Sequence, residues 1–123
     1  MKKMLLLMTM GALACAGAMA QSRGDWVLGQ WKGGAYWFPG VVQARNGDMV
    51  TIAYDDGTQE TVPAKRVRPY TWNLGTRVEC RWAGGSEWYG GRITSISGDG
   101  TALNITYDDG ERERIATGAC RSR

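Results

Sequence analysis

Apolar and polar residues follow one another in short runs along most of the chain, and turn residues separate the runs. Two runs, Met49–Tyr54 and Ala102–Tyr107, are rich in β-branched residues, and the second alternates strictly between apolar and polar positions. Asn46-Gly47-Asp48 is a tight-turn signal between two apolar runs. No window shows helical periodicity, so the pattern predicts short β-strands.

The strand pattern occurs twice. Residues 27–42 match residues 78–93 at a constant offset of 51 positions, which aligns Trp31 with Trp82 and Trp37 with Trp88. Further along, Tyr54-Asp55-Asp56-Gly57 matches Tyr107-Asp108-Asp109-Gly110 at an offset of 53. A turn at Gly98-Asp99-Gly100 can absorb the two extra residues. The chain is therefore an internal duplication.

Each copy predicts about five short strands, a set typical of small closed β-sheets. A bent sheet that closes on itself is an economical way for so small a unit to bury one face. The sequence therefore predicts an all-β fold with two tandem five-stranded barrels. The predicted boundaries are residues 21–69 for the first barrel, 70–75 for a linker and 76–123 for the second barrel.

Residues 1–20 have the features of a cleaved signal peptide. Lys2 and Lys3 precede an apolar run, and Ala18-Met19-Ala20 is an A-x-A cleavage signal. The run is too short for a membrane span and no second one follows, so we expect an exported protein, periplasmic or secreted. The alternative is a lipoprotein anchored through Cys15. It is disfavoured because Leu13 lies two places before that cysteine instead of the usual three.

Charge and composition exclude several classes of function. Without Lys2 and Lys3 the chain has 13 basic and 12 acidic residues. This nearly neutral charge argues against a general nucleic-acid binder. The chain contains no His, so neither a usual structural zinc site nor a histidine base can be assembled. The glycine-rich segments follow no phosphate-binding spacing. We therefore expect no metal, no cofactor and no enzymatic activity.

The two remaining cysteines, Cys80 and Cys120, fall in the first and last strands of the second copy. First and last strands are neighbours when such a barrel closes, and an exported chain meets an oxidising compartment, so we expect a disulfide. Gly29 and Val67 occupy the matching positions of the first copy, so only the second barrel could be cross-linked. Two free buried thiols are the alternative.

The order of motifs within each copy resembles the Tudor family, which includes Agenet domains and tandem Tudor modules. The order is a first-strand Trp, a Gly-rich turn, an aromatic-x-Gly motif and a strand that ends in Tyr-Asp-Asp-Gly. Arg66-Val67-Arg68-Pro69 followed by Trp72 is similar to the end of Agenet-type repeats. The resemblance covers nearly all of residues 21–123 and implies SH3-like barrels that bind a partner without catalysis.

The same resemblance implies one ligand-binding cage in each copy. In this family the ligand is usually a methylated Lys or Arg, whose poorly hydrated cation is attracted to aromatic ring faces beside an acidic residue. The implied residues are Trp31, Phe38, Tyr54 and Asp56 in the first copy, and Trp82, Tyr89, Tyr107 and Asp109 in the second. Thr58 and Glu111 stand where some family members carry a further aromatic, so each cage would be open on one side.

Simple packing is an alternative role for several of these residues. Tyr54 and Tyr107 fit a barrel core as well as they fit a site, and adjacent aspartates are often turn formers. Trp37 and Trp88 lie one residue out of phase with the cage positions. We therefore expect these two rings on the opposite side, covering hydrophobic surface.

These observations predict a noncatalytic module that recognises a cationic group, such as a methylated Lys or Arg side chain, on a protein or peptide. A structural or protein-interaction module of the cell envelope, without a cage ligand, is the alternative. A weaker hypothesis is nucleic-acid or polysaccharide binding through the rings and a set of basic residues. That set is Lys65, Arg66, Arg68, Arg112 and Arg114.

Overall fold

A computed structural model describes residues 21–123 of the chain, so the predicted signal peptide and Cys15 lie outside the described residues. The described part contains two five-stranded antiparallel sheets. The predicted all-β fold with two five-stranded units is confirmed. Between residues 21 and 123, no helix is long and apolar enough to cross a membrane.

Matching strands occupy matching places in the two units. The first contains β1 (Trp26–Gln30), β2 (Trp37–Asn46), β3 (Met49–Tyr54), β4 (Gln59–Pro63) and β5 (Val67–Pro69), in the order β4-β3-β2-β1-β5. The second contains β6 (Arg77–Arg81), β7 (Trp88–Ile96), β8 (Ala102–Tyr107), β9 (Arg112–Ala116) and β10 (Cys120–Arg121), in the order β10-β6-β7-β8-β9. Short 3₁₀ turns cover Trp31–Gly33, Ala64–Arg66, Trp82–Gly84 and Thr117–Ala119.

The third strand of each unit supplies much of its core. In β8, Leu103, Ile105 and Tyr107 are buried while the residues between them are partly exposed, and β3 shows the same alternation. This is the period of two that a strand requires when one face meets the core. The apolar pattern of the sequence therefore fixes which face of the sheet turns inward.

The glycine of the aromatic-x-Gly motif lets β7 approach β8 closely. Gly91 lies opposite Tyr107, and a Cβ there would come within 2.7 Å of the Thr106 carbonyl and 2.9 Å of the Ile105 side chain. Gly40 meets equivalent obstacles in the first unit. A side chain at either position would push apart the strands that carry the aromatic residues of the site.

A disulfide joins Cys80 and Cys120, which face each other directly in the register of β6 and β10. Gly29 and Val67 face each other in the same way between β1 and β5. A Cβ at Gly29 would collide with the Tyr54 phenol, so the first unit has no room for the same cross-link. The covalent link is therefore specific to the second unit.

The two units pack against each other. Leu28, on β1, and Trp72, in the segment between the sheets, are both buried in the same apolar cluster as the core of the second unit. The backbone N–H and carbonyl of Trp37 pair with the carbonyl and N–H of Ser122 at 2.7 and 2.9 Å. The Trp72 indole N–H donates to Ser122 Oγ at 3.1 Å. The segment predicted as a linker thus contributes to the core.

Candidate ligand-binding site

A hydrogen-bonded arrangement of a tyrosine, a half-buried glutamate and a backbone N–H holds the turn at the site in each barrel. In the second, the Tyr107 hydroxyl donates to Glu113 Oε1 at 2.6 Å, and Glu113 Oε2 accepts the Ala83 backbone N–H at 2.6 Å. Ala83 has a φ of 54°, a left-handed conformation that is unfavourable for a residue with a side chain. The carboxylate therefore stabilises a strained turn, and we call this arrangement the Tyr–Glu latch.

The first barrel has the same latch. The Tyr54 hydroxyl donates to Glu60 Oε1 at 2.8 Å, and Glu60 Oε2 accepts the Lys32 N–H at 2.8 Å, with Lys32 at a φ of 51°. Burial, followed by the bond to the carboxylate, raises the pKa of Tyr54 above its usual value, and Tyr107 is raised for the same reasons. Both phenols therefore remain neutral donors.

Each latch places one tryptophan edge-on to the latch tyrosine. Trp31 lies 5.6 Å from Tyr54 between ring centroids at 83°, and Trp82 lies 5.5 Å from Tyr107 at 76°. Such T-shaped contacts are a preferred geometry of aromatic pairs. The latches thus determine where the tryptophan walls of the two pockets stand.

The second barrel has an open cavity of about 530 Å³, which we call the second-barrel pocket. It is lined by Trp82, Trp88, Tyr89, Gly90, Tyr107, Asp108, Asp109 and Glu111. All four cage residues implied by the sequence for this copy therefore line one cavity. Trp82 and Tyr89 are 40% and 47% exposed, whereas Tyr107, at 4%, forms the buried inner wall.

Carboxylates dominate the charge of the second-barrel pocket. The Arg77 guanidinium forms a two-pronged ion pair with Asp108, and its hydrogen bonds hold the pKa of that carboxyl below the usual range. Asp109 Oδ1 accepts the backbone N–H of Glu111 at 2.9 Å, so Asp109 is a turn former that also lines the cavity.

Among residues 21–123, no group of three or more His, Cys, Asp or Glu is arranged to hold a metal ion.

The implied residues of the first copy also come together, in a smaller cavity of about 270 Å³ that we call the junction pocket. It is lined by Trp31, Phe38, Tyr54, Asp56 and Thr58 from the first barrel and by Arg81, Trp88 and Arg121 from the second. Trp31 and Phe38 also pack against the first core, so these rings are less exposed than their counterparts. The cavity lies between the barrels.

Basic side chains surround the junction pocket. The Lys32 ammonium lies 5.4 Å from the Trp31 ring centre, and the guanidinium groups of Arg121 and Arg81 lie 4.0 and 4.7 Å from the Trp88 ring centre. Asp56 is the one carboxylate in the lining, and its Oδ1 accepts both the N–H and the hydroxyl of Thr58. The two pockets therefore differ in their surrounding charge.

The prediction that Trp88 covers hydrophobic surface away from the site was wrong. Trp88 lines both pockets, and its ring lies 6.0 Å from that of Phe38 on the other barrel. Trp37 does pack against an apolar core, that of the second unit, with the Arg68 guanidinium 3.8 Å from its ring centre. Both tryptophans thus contact the other barrel, but Trp37 packs against its core while Trp88 lines the two cavities.

The sequence reasoning also missed Arg81 and Arg121. Arg121 matches Arg68 in the closing strand of the first copy, and each guanidinium lies on the second-strand tryptophan of its own barrel. The sequence shows only that this Arg and this Trp recur at matching positions of the two copies. Arg81 had no such signal, since Gln30 occupies the matching place.

The chain folds into two tandem five-stranded barrels, each with an aromatic-lined cavity. Residues 32–72 match the model of the Agenet domain, and the predicted resemblance to the tandem Tudor and Agenet-like family is confirmed. Agenet domains are generally noncatalytic protein-interaction modules.

Two solved structures are similar to this chain over most of its length. The crystal structure of Arabidopsis thaliana AGDP1 AGD34 is 18% identical, covers 86% of this chain and 84% of that chain, and has a TM-score of 0.41. That of ADCP1 tandem Agenet domain 3-4 is 18% identical, covers 86% and 82%, and has a TM-score of 0.40. A search of curated proteins gave no significant match.

Proposed function

We propose that this chain is a noncatalytic module whose second barrel binds a cationic side chain, such as methylated Lys or Arg, on a protein or peptide partner. One observation carries the proposal. The second-barrel pocket combines exposed aromatic rings with carboxylates in a single open cavity.

The physical chemistry of a methylated ammonium favours this pocket. Each good contact between such a cation and a ring face contributes about 0.5 to 2 kcal/mol. Trp82 and Tyr89 offer exposed ring surface, and Asp109 and Glu111 supply negative charge at the rim. The junction pocket is a poorer cation site because Lys32, Arg81 and Arg121 already surround it.

The contacts of the basic residues do not favour nucleic-acid binding. Arg66 donates to the Gln30 carbonyl and pairs with Glu60, and Arg68 stacks on Trp37. Arg112 and Arg114 lie on β9, in the other barrel. A phosphate backbone needs several free basic groups on one face.

We also propose that the protein works in an oxidising compartment, as the targeting signal in residues 1–20 predicts. The Cys80–Cys120 disulfide supports this placement, since such bonds persist chiefly in exported proteins. The partner is then an envelope or extracellular protein.

Tryptophan fluorescence during titration tests the cation site directly. The probes are three short peptides that differ at one position, which holds trimethyllysine, unmodified lysine or a neutral tert-butyl isostere of trimethyllysine. We expect the trimethyllysine peptide to bind best, and Trp82→Ala to weaken its binding by about tenfold or more, in line with the loss of an aromatic wall. Trp31→Ala is the matched control and should change the affinity less than about twofold, because its ring lines the other pocket.

Circular dichroism of each variant confirms that it is folded before the titration is interpreted. Equal binding of the neutral isostere and the trimethyllysine peptide would remove the electrostatic basis of the proposal. No response from the folded wild-type protein to any of the peptides would reject it.

A further inference from the structure

The junction pocket differs from the second-barrel pocket in the charges that the second barrel contributes to it. Arg81 and Arg121 both line the junction pocket, while the corresponding surface of the other cavity carries Asp108, Asp109 and Glu111. The two cavities share the Trp88 ring as a wall. A ligand seated in one cavity therefore has a pocket of different charge immediately beside it.

Arg121 is held rigidly at this wall. Its Nε and Nη2 both donate to Glu79 Oε1, at 3.0 and 2.9 Å, and its guanidinium lies 3.6 Å from the Tyr36 ring centre and 4.0 Å from that of Trp88. An Arg fixed by stacking and an ion pair loses little further freedom when it binds a ligand. Arg121 thus forms a preorganised side of the pocket.

Arg81 supplies the free charge. Its guanidinium lies 4.7 Å from the Trp88 ring centre, and within residues 21–123 it has neither a hydrogen bond nor an ion pair to another side chain. Gln30 stands at the matching place in the first barrel, so this charge is particular to the junction. Asp56, the carboxylate in the lining, already accepts two hydrogen bonds from Thr58.

We propose that the junction pocket is an anion subsite that binds a carboxylate of the same ligand whose cation enters the second-barrel pocket. The proposal rests on the function proposed above and makes it more specific. The planar guanidinium groups match a carboxylate, which they can bind through two parallel hydrogen bonds. Because one indole separates the cavities, the carboxylate lies one or two residues from the cationic residue in an extended peptide.

Peptide titrations separate this subsite from the cation site. The probes are capped peptides in which trimethyllysine is followed, one or two residues later, by Glu or by Gln, and a Gln peptide that ends there in a free carboxylate. We expect the Glu peptides to bind about fivefold to tenfold more tightly than their Gln counterparts, as for a close charge pair. The free-carboxylate arm shows whether a chain end serves as well as a side chain.

Arg81→Gln is the decisive variant, because Gln is the residue that the first barrel carries at the same place. It should abolish the preference for Glu over Gln while leaving the affinity for the Gln peptide within about twofold, and Arg81→Lys should keep part of the preference. If wild-type protein binds the Glu and Gln peptides equally, or if Arg81→Gln keeps the preference, the subsite is rejected while the cation site stands.

A second measurement does not depend on the cation site. In Trp82→Ala protein, the NMR signals of the Arg81 and Arg121 Nε–H groups and of the Trp88 indole should shift with N-acetylglutamate amide and remain unchanged with N-acetylglutamine amide. Absence of these shifts in folded protein would overturn the anion subsite. Their presence without any binding of trimethyllysine peptides would instead reject the cation site.

Discussion

The two barrels share their strand order, their Tyr–Glu latch and a stack of a last-strand Arg on a second-strand Trp, yet the charges around their pockets differ. The first barrel carries Lys32 over its pocket tryptophan, whereas the second has Ala83 there. Thr58 of the first corresponds to Glu111 of the second. The duplication thus keeps the residues that hold the turn and varies those at the rim, so one scaffold presents two kinds of surface.

The largest effect is expected where the barrels differ covalently. Replacing both cysteines, as in Cys80→Ala with Cys120→Ala, removes a cross-link between residues 40 positions apart. We expect the free energy of unfolding to fall by about 4 kcal/mol in the chain-entropy model. Thermal unfolding followed by tryptophan fluorescence measures the loss.

Treatment with a reducing agent is the control for this variant. Reductant should lower the melting temperature of wild-type protein and leave that of the double variant unchanged. A double variant that melts together with oxidised wild-type protein would show that the closing strand β10 needs no covalent support.

A smaller effect should be equal in the two barrels, because it concerns the latch that they share. Tyr54→Phe and Tyr107→Phe each remove the hydroxyl that donates to a half-buried carboxylate. Each should lower the free energy of unfolding by about 1.5 to 3 kcal/mol, the range for hydrogen bonds to charged groups. Urea unfolding measures both.

Tyr36→Phe is the control, since within residues 21–123 the Tyr36 hydroxyl accepts a single, exposed hydrogen bond from Arg123. It should cost less than about 0.5 kcal/mol. If one latch variant were as mild as Tyr36→Phe while the other was severe, the two latches would not be equivalent.

The smallest effect tests the difference at the rim. Ala83→Lys gives the second-barrel pocket the cation of the first, and Lys already occupies this left-handed turn position at residue 32, so the fold accommodates it. Binding of a trimethyllysine peptide should weaken by about fivefold, as expected for an added like charge near the site. Fluorescence titration at low and high salt measures the change, which salt should reduce.

Ala83→Gln adds a side chain of similar length without charge and should weaken binding less than Ala83→Lys. Lys32→Ala, made on the other barrel, should leave the affinity unchanged. Equal losses from Lys and Gln at position 83 would assign the effect to bulk and contradict the electrostatic contrast between the barrels.

The strands could be predicted from the sequence because they depend on local apolar–polar alternation, and the same alternation occurs in both copies. The alternation in Met49–Tyr54 and Ala102–Tyr107 determines which side chains face inward, and the glycine turns mark the strand ends. The same repetition placed the eight implied cage residues at matching positions, and they line two cavities, four in each.

The contacts between the barrels could not be predicted in this way. Trp88 and Arg81 belong to one barrel and line a cavity with the other, and no local pattern encodes how two units dock. The role of Glu60 and Glu113 was missed for a different reason. In each copy the glutamate follows the latch tyrosine by six positions, so its position repeats. The strand pattern alone does not show that the two side chains are hydrogen-bonded.

The burial of Leu28 and Trp72 in the second core limits how this architecture can be rearranged. Tandem domains that do not pack against each other can be rearranged, lost or multiplied one at a time. Here, removing either half would expose apolar surface on the other, since residues of the first barrel and of the connecting segment are buried in the core of the second. The pair, rather than the single barrel, is the smallest part that a recombination event could move intact.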